Sequence, residues 1–289
     1  MTNKGVFYLA DLEKLHCENE YDVLRKVVVC SPKYMEIGEI INETQKRYKD
    51  ENIDVEVAIE QHNDFVRVLR ENDVEVIELP PQPKLNEQVF TRDIGFAIDE
   101  HLFLASMGSD IRKDEIKIVD DVLKSKGYQY TDLVVNSIEG GDVIVDHKKV
   151  LVGLTNRTTK KAAEELQERL PNHEIITVPL IERVLHLDCA FNIVGPNTAI
   201  AFPGAFTGEE LSILENHYDV IEISKDEEFR LATNVLNIGN KKIISMPQNE
   251  RVNAELEKRG FQIIEVDFSE IIKSGGSFRC CSFPLLRSN

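Results

Sequence analysis

The sequence predicts an α/β fold built from five repeated ββαβ units that close in a ring. Three stretches share the same order of strand, tight turn, strand, helix and strand. The predicted helix centres recur at a spacing of roughly 45 to 55 residues, which is typical of repeat architectures. Because no unit of this size can bury its apolar face alone, a ring would give each unit two neighbours and leave no exposed sheet edge.

The three clear units occupy the middle and the C-terminal half of the chain. Their strand, strand, helix and strand are predicted at 142–145, 150–153, 158–170 and 174–178; at 191–195, 198–202, 208–217 and 219–223; and at 234–239, 242–246, 249–259 and 261–266. The tight turns carry Asp146-His147, Gly195-Pro196-Asn197 and Gly239-Asn240, which are residues that favour turns.

The N-terminal units are less regular. The first has a predicted helix at 61–72 and a strand at 74–77; the second has strands at 94–97 and 102–104, a helix at 112–126 and a weak strand. The segments between units are short, so residues 1–289 are predicted to form a single domain. Segment 36–58 has the least regular pattern, and we expect either a mobile lid over the central channel or an ordinary surface loop.

Composition excludes several classes of function. The net charge of −17 opposes binding to phosphate backbones and anionic membranes, so neither nucleic acid nor membrane is an expected partner. No apolar run approaches the ~20 residues of a membrane span, and the first residues do not resemble a signal region. Five cysteines without a CxxC pair argue against a disulfide framework or a zinc knuckle. These features predict a cytoplasmic protein with free thiols, and they leave its oligomeric state open, a homo-oligomer included.

One cysteine stands out from the other four. Cys280 follows the run Gly-Gly-Ser-Phe-Arg at the predicted start of an apolar strand over 281–286. A thiol at the mouth of a strand and beside Arg279 is expected to be accessible and partly ionised. Its neighbour Cys281 is expected to point to the opposite face, because strand side chains alternate. The remaining three are expected to be small buried hydrophobic residues: Cys17, Cys30 and Cys189.

Polar motifs open the predicted units. His186 and Asp188 form a His-x-Asp pair that alternation would place on one face of a strand. Glu139 begins a Glu-Gly-Gly-Asp run before the strand at 142–145, and Asp93 ends a Thr-Arg-Asp run before the strand at 94–97. If the units form a ring, these motifs and Cys280 converge at its centre.

Together, these motifs and their order resemble those of the guanidine-modifying enzymes: arginine deiminases, dimethylarginine dimethylaminohydrolases and arginine:glycine amidinotransferases. The resemblance covers roughly residues 27–286 and implies their shared fold, a five-bladed pseudo-symmetric α/β propeller called the pentein fold. It implies catalysis by a cysteine on the guanidinium carbon of arginine or a methylated arginine. The intermediate would be an S-alkylthiouronium, and the products citrulline and ammonia or an alkylamine, with no metal or organic cofactor.

The resemblance also implies a role for each matching residue. Cys280 matches the nucleophile, His186 the general acid and base, and Glu139 the carboxylate that orients the histidine. The residues matching the substrate-binding groups are Asp93 and Asp188 for the guanidinium, and Arg112 and Arg157 for the α-carboxylate of the substrate.

Four possibilities remain open at this stage. Asp188 and the Thr-Arg-Asp run suit an unmethylated guanidinium, because methyl groups remove donors. The short chain and the Cys280-Cys281-Ser282 run instead resemble dimethylarginine enzymes. An amidinotransferase would use an amine in place of water as the second nucleophile. A non-catalytic binding module on the same fold would be expected to lack the Cys, His and Asp motifs.

Overall fold

The computed structural model describes residues 14–132 and 136–288, which form five three-stranded sheets flanked by helices. In each sheet the middle strand pairs antiparallel with one neighbour and parallel with the other. The parallel pairs are connected through helices, as parallel pairing requires a crossover. The ββαβ order predicted for the three clear units is confirmed in these elements.

The elements have the following bounds. The strands are β1 Val23–Cys30, β2 Glu75–Leu79, β3 Gly95–Ile98, β4 His101–Leu104, β5 Thr131–Asp132, β6 Val143–Asp146, β7 Lys149–Leu154, β8 Glu174–Pro179, β9 Phe191–Gly195, β10 Thr198–Ala201, β11 Asp219–Glu222, β12 Leu236–Gly239, β13 Lys242–Ser245, β14 Gln262–Glu265 and β15 Phe283–Ser288. The helices are α1 Glu43–Tyr48, α2 Val55–Glu71, α3 Lys113–Ser125, α4 Lys160–Arg169, α5 Leu187–Ala190, α6 Glu209–Glu215, α7 Lys225–Phe229 and α8 Glu250–Lys258.

Strands from both ends of the described chain share one sheet. Its order is β15-β1-β2, and β15 runs antiparallel to β1, with Val28 opposite Phe283. The other four sheets are contiguous in sequence, with orders β3-β4-β5, β6-β7-β8, β9-β10-β11 and β12-β13-β14. Hydrophobic periodicity predicts the individual strands, but it contains no information about pairing between opposite ends of a chain.

Apolar side chains join each sheet to two others. Strand β15 packs on β3, and β1 packs on β12. The sheet of β3 and β4 shares a buried cluster with that of β6 and β7, and β6 packs on β9. Ile200 of β10 and Ile243 of β13 lie in one cluster, so the sheets follow one another in cyclic order. Each such buried aliphatic or aromatic side chain contributes roughly 1.5–3 kcal/mol.

Two local predictions at the polar motifs were wrong. His186 and Asp188 do not lie on a strand, because α5 begins immediately after His186; the Leu187 amide donates to Asp142 Oδ1 at 2.9 Å and so satisfies one free amide of the helix start. The C-terminal strand begins at Phe283 rather than at Cys281. Cys280 lies instead in a turn in which the Cys281 amide donates to the Ser277 carbonyl at 2.9 Å.

Some predicted boundaries also moved. Helix α2 begins at Val55, six residues before the predicted start, because Asp54 caps it by accepting from the Val57 amide at 3.2 Å. The weak strand is the two-residue β5. None of the described helices is both long and apolar enough to cross a membrane.

Candidate active site

The polar motifs that open the units meet around one small buried cavity. Asp93, Arg112, His186 and Cys280 all line it, and its internal volume is about 10 Å³. That volume is roughly enough for one water molecule. The structure therefore brings together four residues that are distant in sequence, as the ring prediction required.

Cys280 is buried, in contrast to the prediction of an accessible thiol. Its side chain is 3% exposed and lies in the turn before β15. Asn234 holds this turn: its Oδ1 accepts from the amides of Ser277 at 3.1 Å and Cys280 at 3.0 Å. Its Nδ2 donates to Cys280 Sγ at 3.1 Å. A thiolate on Cys280 would therefore already face an amide donor.

His186 lies between two carboxylates. Its Nε2 is 2.7 Å from Glu139 Oε2, and its Nδ1 is 3.5 Å from Asp93 Oδ1. Burial opposes ionisation of His186, but these carboxylates and Asp142 raise its pKa well above the usual value. Burial also opposes ionisation of Glu139, yet the His186 hydrogen bond and charge lower its pKa to about 2. Both shifts favour an imidazolium paired with a carboxylate over a neutral pair.

Gly141 makes this close approach possible. A Cβ atom at this position would lie 2.7 Å from Asp93 Oδ1 and 2.8 Å from the His186 ring, closer than real Cβ contacts. The second glycine of the Glu-Gly-Gly-Asp run is thus required by packing between the histidine and the carboxylate, in addition to any role in the turn.

Asp188 is fully buried beside the thiol. Its carboxylate oxygens accept from Cys280 Sγ at 3.6 and 3.7 Å, and its Oδ2 is 3.5 Å from Arg279 Nε. Burial raises the pKa of Asp188, although Arg279 and His186 oppose the shift. Arg279, expected beside the thiol, directs its terminal nitrogens to Glu20 at 2.5 and 3.2 Å.

The two predicted carboxylate-binding arginines have protein partners. Arg112 is buried, pairs with Asp93 and donates to Glu115 at 2.8 and 3.0 Å. Arg157 Nη1 lies 3.7 Å from Glu139 Oε1, and Arg157 lines a neighbouring cavity of about 240 Å³. That both hold a substrate carboxylate stays a prediction.

The segment 36–58 lies against the cavity. Ile41 and Asn42 contribute to its lining, and Asn42 donates to the Ser274 carbonyl at 2.9 Å. Gln45, at the start of α1, is fully buried and donates to Glu87 Oε1 and to Ser274 Oγ, both at 2.7 Å. Part of the segment therefore lines the cavity, and the choice between a mobile lid and an ordinary surface loop stays open.

Glu87 is an unusual carboxylate in this lining. It is 4% exposed and receives hydrogen bonds from Gln45 and Ser274. Burial raises its pKa to about 7, despite the opposing charge of Arg112. The Glu87 carboxyl, which titrates near neutral pH, therefore connects Gln45 of segment 36–58 to Ser274 in the lining of the cavity.

The cysteines expected to be buried hydrophobic residues divide into two groups. Cys17 and Cys30 are buried, as predicted. Cys189 is only half-buried, and its thiol lies beside that of Cys280. Two effects raise the pKa of Cys189 well above its usual value: the larger is a hydrogen bond with the Cys280 thiol, and the smaller is burial.

Two sets of side chains could hold a metal ion. Asp188, Cys189 and Cys280 bring one ligand atom each to within 4.8 Å of one another, and Asp93, Glu139 and His186 do the same. In the second set, His186 and Glu139 share a hydrogen bond at 2.7 Å, whereas Asp93 Oδ1 has no hydrogen-bond partner among the described residues. Carboxylates with either thiols or a histidine are chemically suited to a divalent transition metal.

Sequence reasoning missed Asn234, Glu87 and Glu20. Asn234 had a usable signal, because it stands just before β12 in the same place that the other polar motifs occupy before their strands. Glu87 and Glu20 had none, since both lie in segments without clear periodicity. Their importance comes from burial, which the sequence does not show.

Comparison with known proteins identifies the family. A family model described as "N,N dimethylarginine dimethylhydrolase, eukaryotic" matches residues 31–287, and the chain belongs to this family. The predicted membership of the guanidine-modifying, or pentein, superfamily is thereby confirmed.

Three curated relatives illustrate the range of similarity. The uncharacterized protein YkgA of Bacillus subtilis is 50% identical over 274 residues, covering 95% of this chain and 96% of YkgA. The N(G),N(G)-dimethylarginine dimethylaminohydrolase of Pseudomonas aeruginosa is 27% identical, covering 78% of this chain and 87% of that protein. An arginine deiminase of Mycoplasma capricolum is 26% identical, covering 70% of this chain and 62% of the deiminase.

Two solved structures show the same fold. The N-terminal domain of ArgZ, a cyanobacterial arginine dihydrolase, has a TM-score of 0.83 at 21% identity and covers 91% of this chain and 98% of its own. SxtG, an amidinotransferase from Microseira wollei, has a TM-score of 0.81 at 18% identity and covers 95% of this chain and 98% of its own.

Proposed function

We propose that this protein is a cysteine hydrolase that acts on the guanidinium carbon of arginine or a methylated arginine. The observation that carries the proposal is the meeting of Cys280, His186 and Asp93 at one cavity, with Asp188 beside the thiol. A non-catalytic binding module would have no need for this combination. The relatives named as dimethylarginine dimethylaminohydrolase and arginine deiminase support the same chemistry.

The fold provides the convergence that this function needs. We propose that the cyclic order of sheet contacts closes the five units into a five-bladed propeller, with residues 1–289 as one domain. The polar openings of the units then face a common centre. We further propose a cytoplasmic location, where a reducing environment would keep Cys280 as a thiol.

Two carboxylates would bind the substrate. A guanidinium is planar, permanently charged and rich in N–H donors, and carboxylates bind it through charge-assisted hydrogen bonds. Asp93 and Asp188 are 3% and 0% exposed, so little water competes for these bonds. The substrate guanidinium would replace part of the ion pair that Arg112 makes with Asp93. Its positive charge would also favour ionisation of Asp188.

The first half of the reaction uses Cys280 and His186. The cationic substrate stabilises the thiolate, which attacks the guanidinium carbon and forms a C–S bond. His186, an imidazolium held by Glu139, protonates the departing nitrogen, and ammonia or an alkylamine leaves. The product of this step is an S-alkylthiouronium on Cys280.

The second half uses water. His186, now neutral, takes a proton from a water molecule, whose oxygen attacks the thiouronium carbon. The C–S bond breaks, the hydroxyl proton of the adduct passes to solvent, citrulline forms, and the Cys280 thiolate and the imidazolium are restored. Asn234 Nδ2, 3.1 Å from Sγ, stabilises the thiolate as it leaves.

Product analysis tests the proposal. We would incubate the protein separately with arginine and with asymmetric dimethylarginine, with and without glycine, and identify products by mass spectrometry. Citrulline from arginine would identify a deiminase, and citrulline with dimethylamine only from the methylated substrate would identify a dimethylaminohydrolase. Formation of guanidinoacetate and ornithine in the presence of glycine would show that the protein transfers the amidino group to an amine instead of hydrolysing the substrate.

Substitution of the nucleophile provides the control. Cys280→Ser is expected to remove turnover while the protein stays folded, because serine is close in size to cysteine and its hydroxyl can accept from Asn234 Nδ2. Cys17→Ala removes a buried thiol elsewhere and is expected to retain activity. Wild-type rates in Cys280→Ser, or no product from any substrate while Cys280 still reacts with a thiol reagent, would contradict the proposed function.

A further inference from the structure

Two free thiols meet at the active site, and the proposed reaction uses only one of them. Sγ of Cys189, Sγ of Cys280 and a carboxylate oxygen of Asp188 all lie within 4.8 Å of one another. Both thiols contact the same carboxylate, Cys189 at 3.6 Å and Cys280 at 3.6 and 3.7 Å. A disulfide requires the sulfur atoms to approach to about 2.05 Å, so a shift of no more than about 3 Å would join them.

The surroundings of the two thiols differ. Cys280 lies at the closed end of the site, whereas half-buried Cys189 lies where the small cavity adjoins a larger one of about 420 Å³. Cys189 is in the four-residue helix α5, next to Asp188. Small polar solutes can therefore approach the pair from the larger cavity.

We propose that Cys189 and Cys280 are an oxidisable thiol pair, a modification site at which a hydroperoxide such as hydrogen peroxide produces a reversible disulfide. Formation of this disulfide does not depend on the proposed function. The consequence that it blocks turnover does, because it consumes the proposed nucleophile. Activity would then depend on the redox state of the surroundings.

The chemistry balances in two steps. The Cys280 thiolate attacks one peroxide oxygen, the O–O bond breaks, and a sulfenic acid forms with release of hydroxide. The Cys189 sulfur, losing its proton to that hydroxide, attacks the Cys280 sulfur; the S–S bond forms, and the S–O bond breaks to release the second hydroxide, which takes up a proton. Two thiols and one hydrogen peroxide thus give one disulfide and two water molecules.

A nearby second thiol also determines the fate of the sulfenic acid. Without a partner, a sulfenic acid proceeds to the irreversible sulfinic acid, whereas an adjacent thiol captures it as a disulfide. Cys281 is the competing partner in sequence, but its side chain is fully buried and does not line the active-site cavity, whereas that of Cys189 does. Contact through Asp188 favours Cys189.

Peptide mass spectrometry of the full chain tests the pairing directly. After treatment with hydrogen peroxide, alkylation of remaining thiols and trypsin, Cys280 lies in the peptide Cys280–Arg287 and Cys189 in the peptide 184–225. We expect these two peptides cross-linked, at a mass about 2 Da below their sum. An internal disulfide within Cys280–Arg287, or no cross-link with about 32 Da added to that peptide, would overturn the proposal.

Activity measurements test the consequence. Wild-type protein is expected to lose more than about tenfold activity in peroxide and to regain it with dithiothreitol. Cys189→Ala, measured against its own reduced activity, is expected to be inactivated without recovery, and Cys281→Ala to recover like the wild type. Full recovery of Cys189→Ala would overturn the proposal. If the cross-link forms but the reduced protein turns over none of the substrates, the proposed function is refuted and the proposal of an oxidisable thiol pair still holds.

Discussion

Glu87→Gln is expected to change the pH dependence of stability in a defined direction. Burial raises the Glu87 pKa from a usual value of 4.5 to about 7. Between these values the native state binds a proton that the unfolded state has released, so stability falls as pH rises. At about 1.4 kcal/mol per pKa unit, the full cost of ionising this group is about 3 kcal/mol.

The glutamine removes this cost with little change of shape. Gln45 Nε2 can still donate to Oε1, which now belongs to an amide, and the new Nε2, in the place of Oε2, can donate to Ser274 Oγ. The free energy of unfolding of Glu87→Gln relative to wild type is therefore expected to rise by about 2–3 kcal/mol between pH 5 and pH 8. Other buried carboxyls, such as Asp142 with a pKa of about 7, are present in both proteins and cancel.

Urea unfolding at pH 5, 6.5 and 8 measures this difference. Glu164→Gln, a change of the same type at an exposed position of α4, is the matched control and is expected to follow wild type at every pH. A stability difference between Glu87→Gln and wild type that stays constant across this range would refute the argument, because Glu87 would then ionise without cost.

Two further predictions concern groups around the thiol. Asp188→Asn is expected to raise KM by about 10- to 100-fold, since a hydrogen bond to a charged group contributes roughly 1.5–3 kcal/mol; an unchanged KM and kcat would show that Asp188 does not bind the substrate. Asn234→Ala is expected to slow alkylation of Cys280 at pH 7 by about tenfold, because the thiolate loses a donor at 3.1 Å. Asn192→Ala, which removes an equally buried amide bonded to the carbonyls of Thr233 and Val235, is the control, and equal alkylation rates in both variants would exclude this role for Asn234.

The sequence by itself determined the repeated elements and the chemical types of the site. Alternating apolar residues and turn residues are local properties, so the strands and helices of the three clear units could be predicted to within a few residues. The motifs around Asp93, Glu139, His186 and Cys280 could be found because each stands beside a predicted strand, and the repeat indicated that they would meet.

Only the tertiary structure decided which atoms touch. Asn234 and Cys280 are 46 residues apart, and no local pattern predicts that an amide donates to the thiol. No local pattern predicts that the Cys189 thiol lies near that of Cys280, because cysteine is a common residue at buried positions. Nor does a local pattern predict the pairing between β1 and β15. The burial of Cys280 also depended on the turn before β15. Packing of the sheets on one another and exclusion of water set these distances and shift the pKa of Glu87 and His186, and both effects arise from residues far apart in the chain.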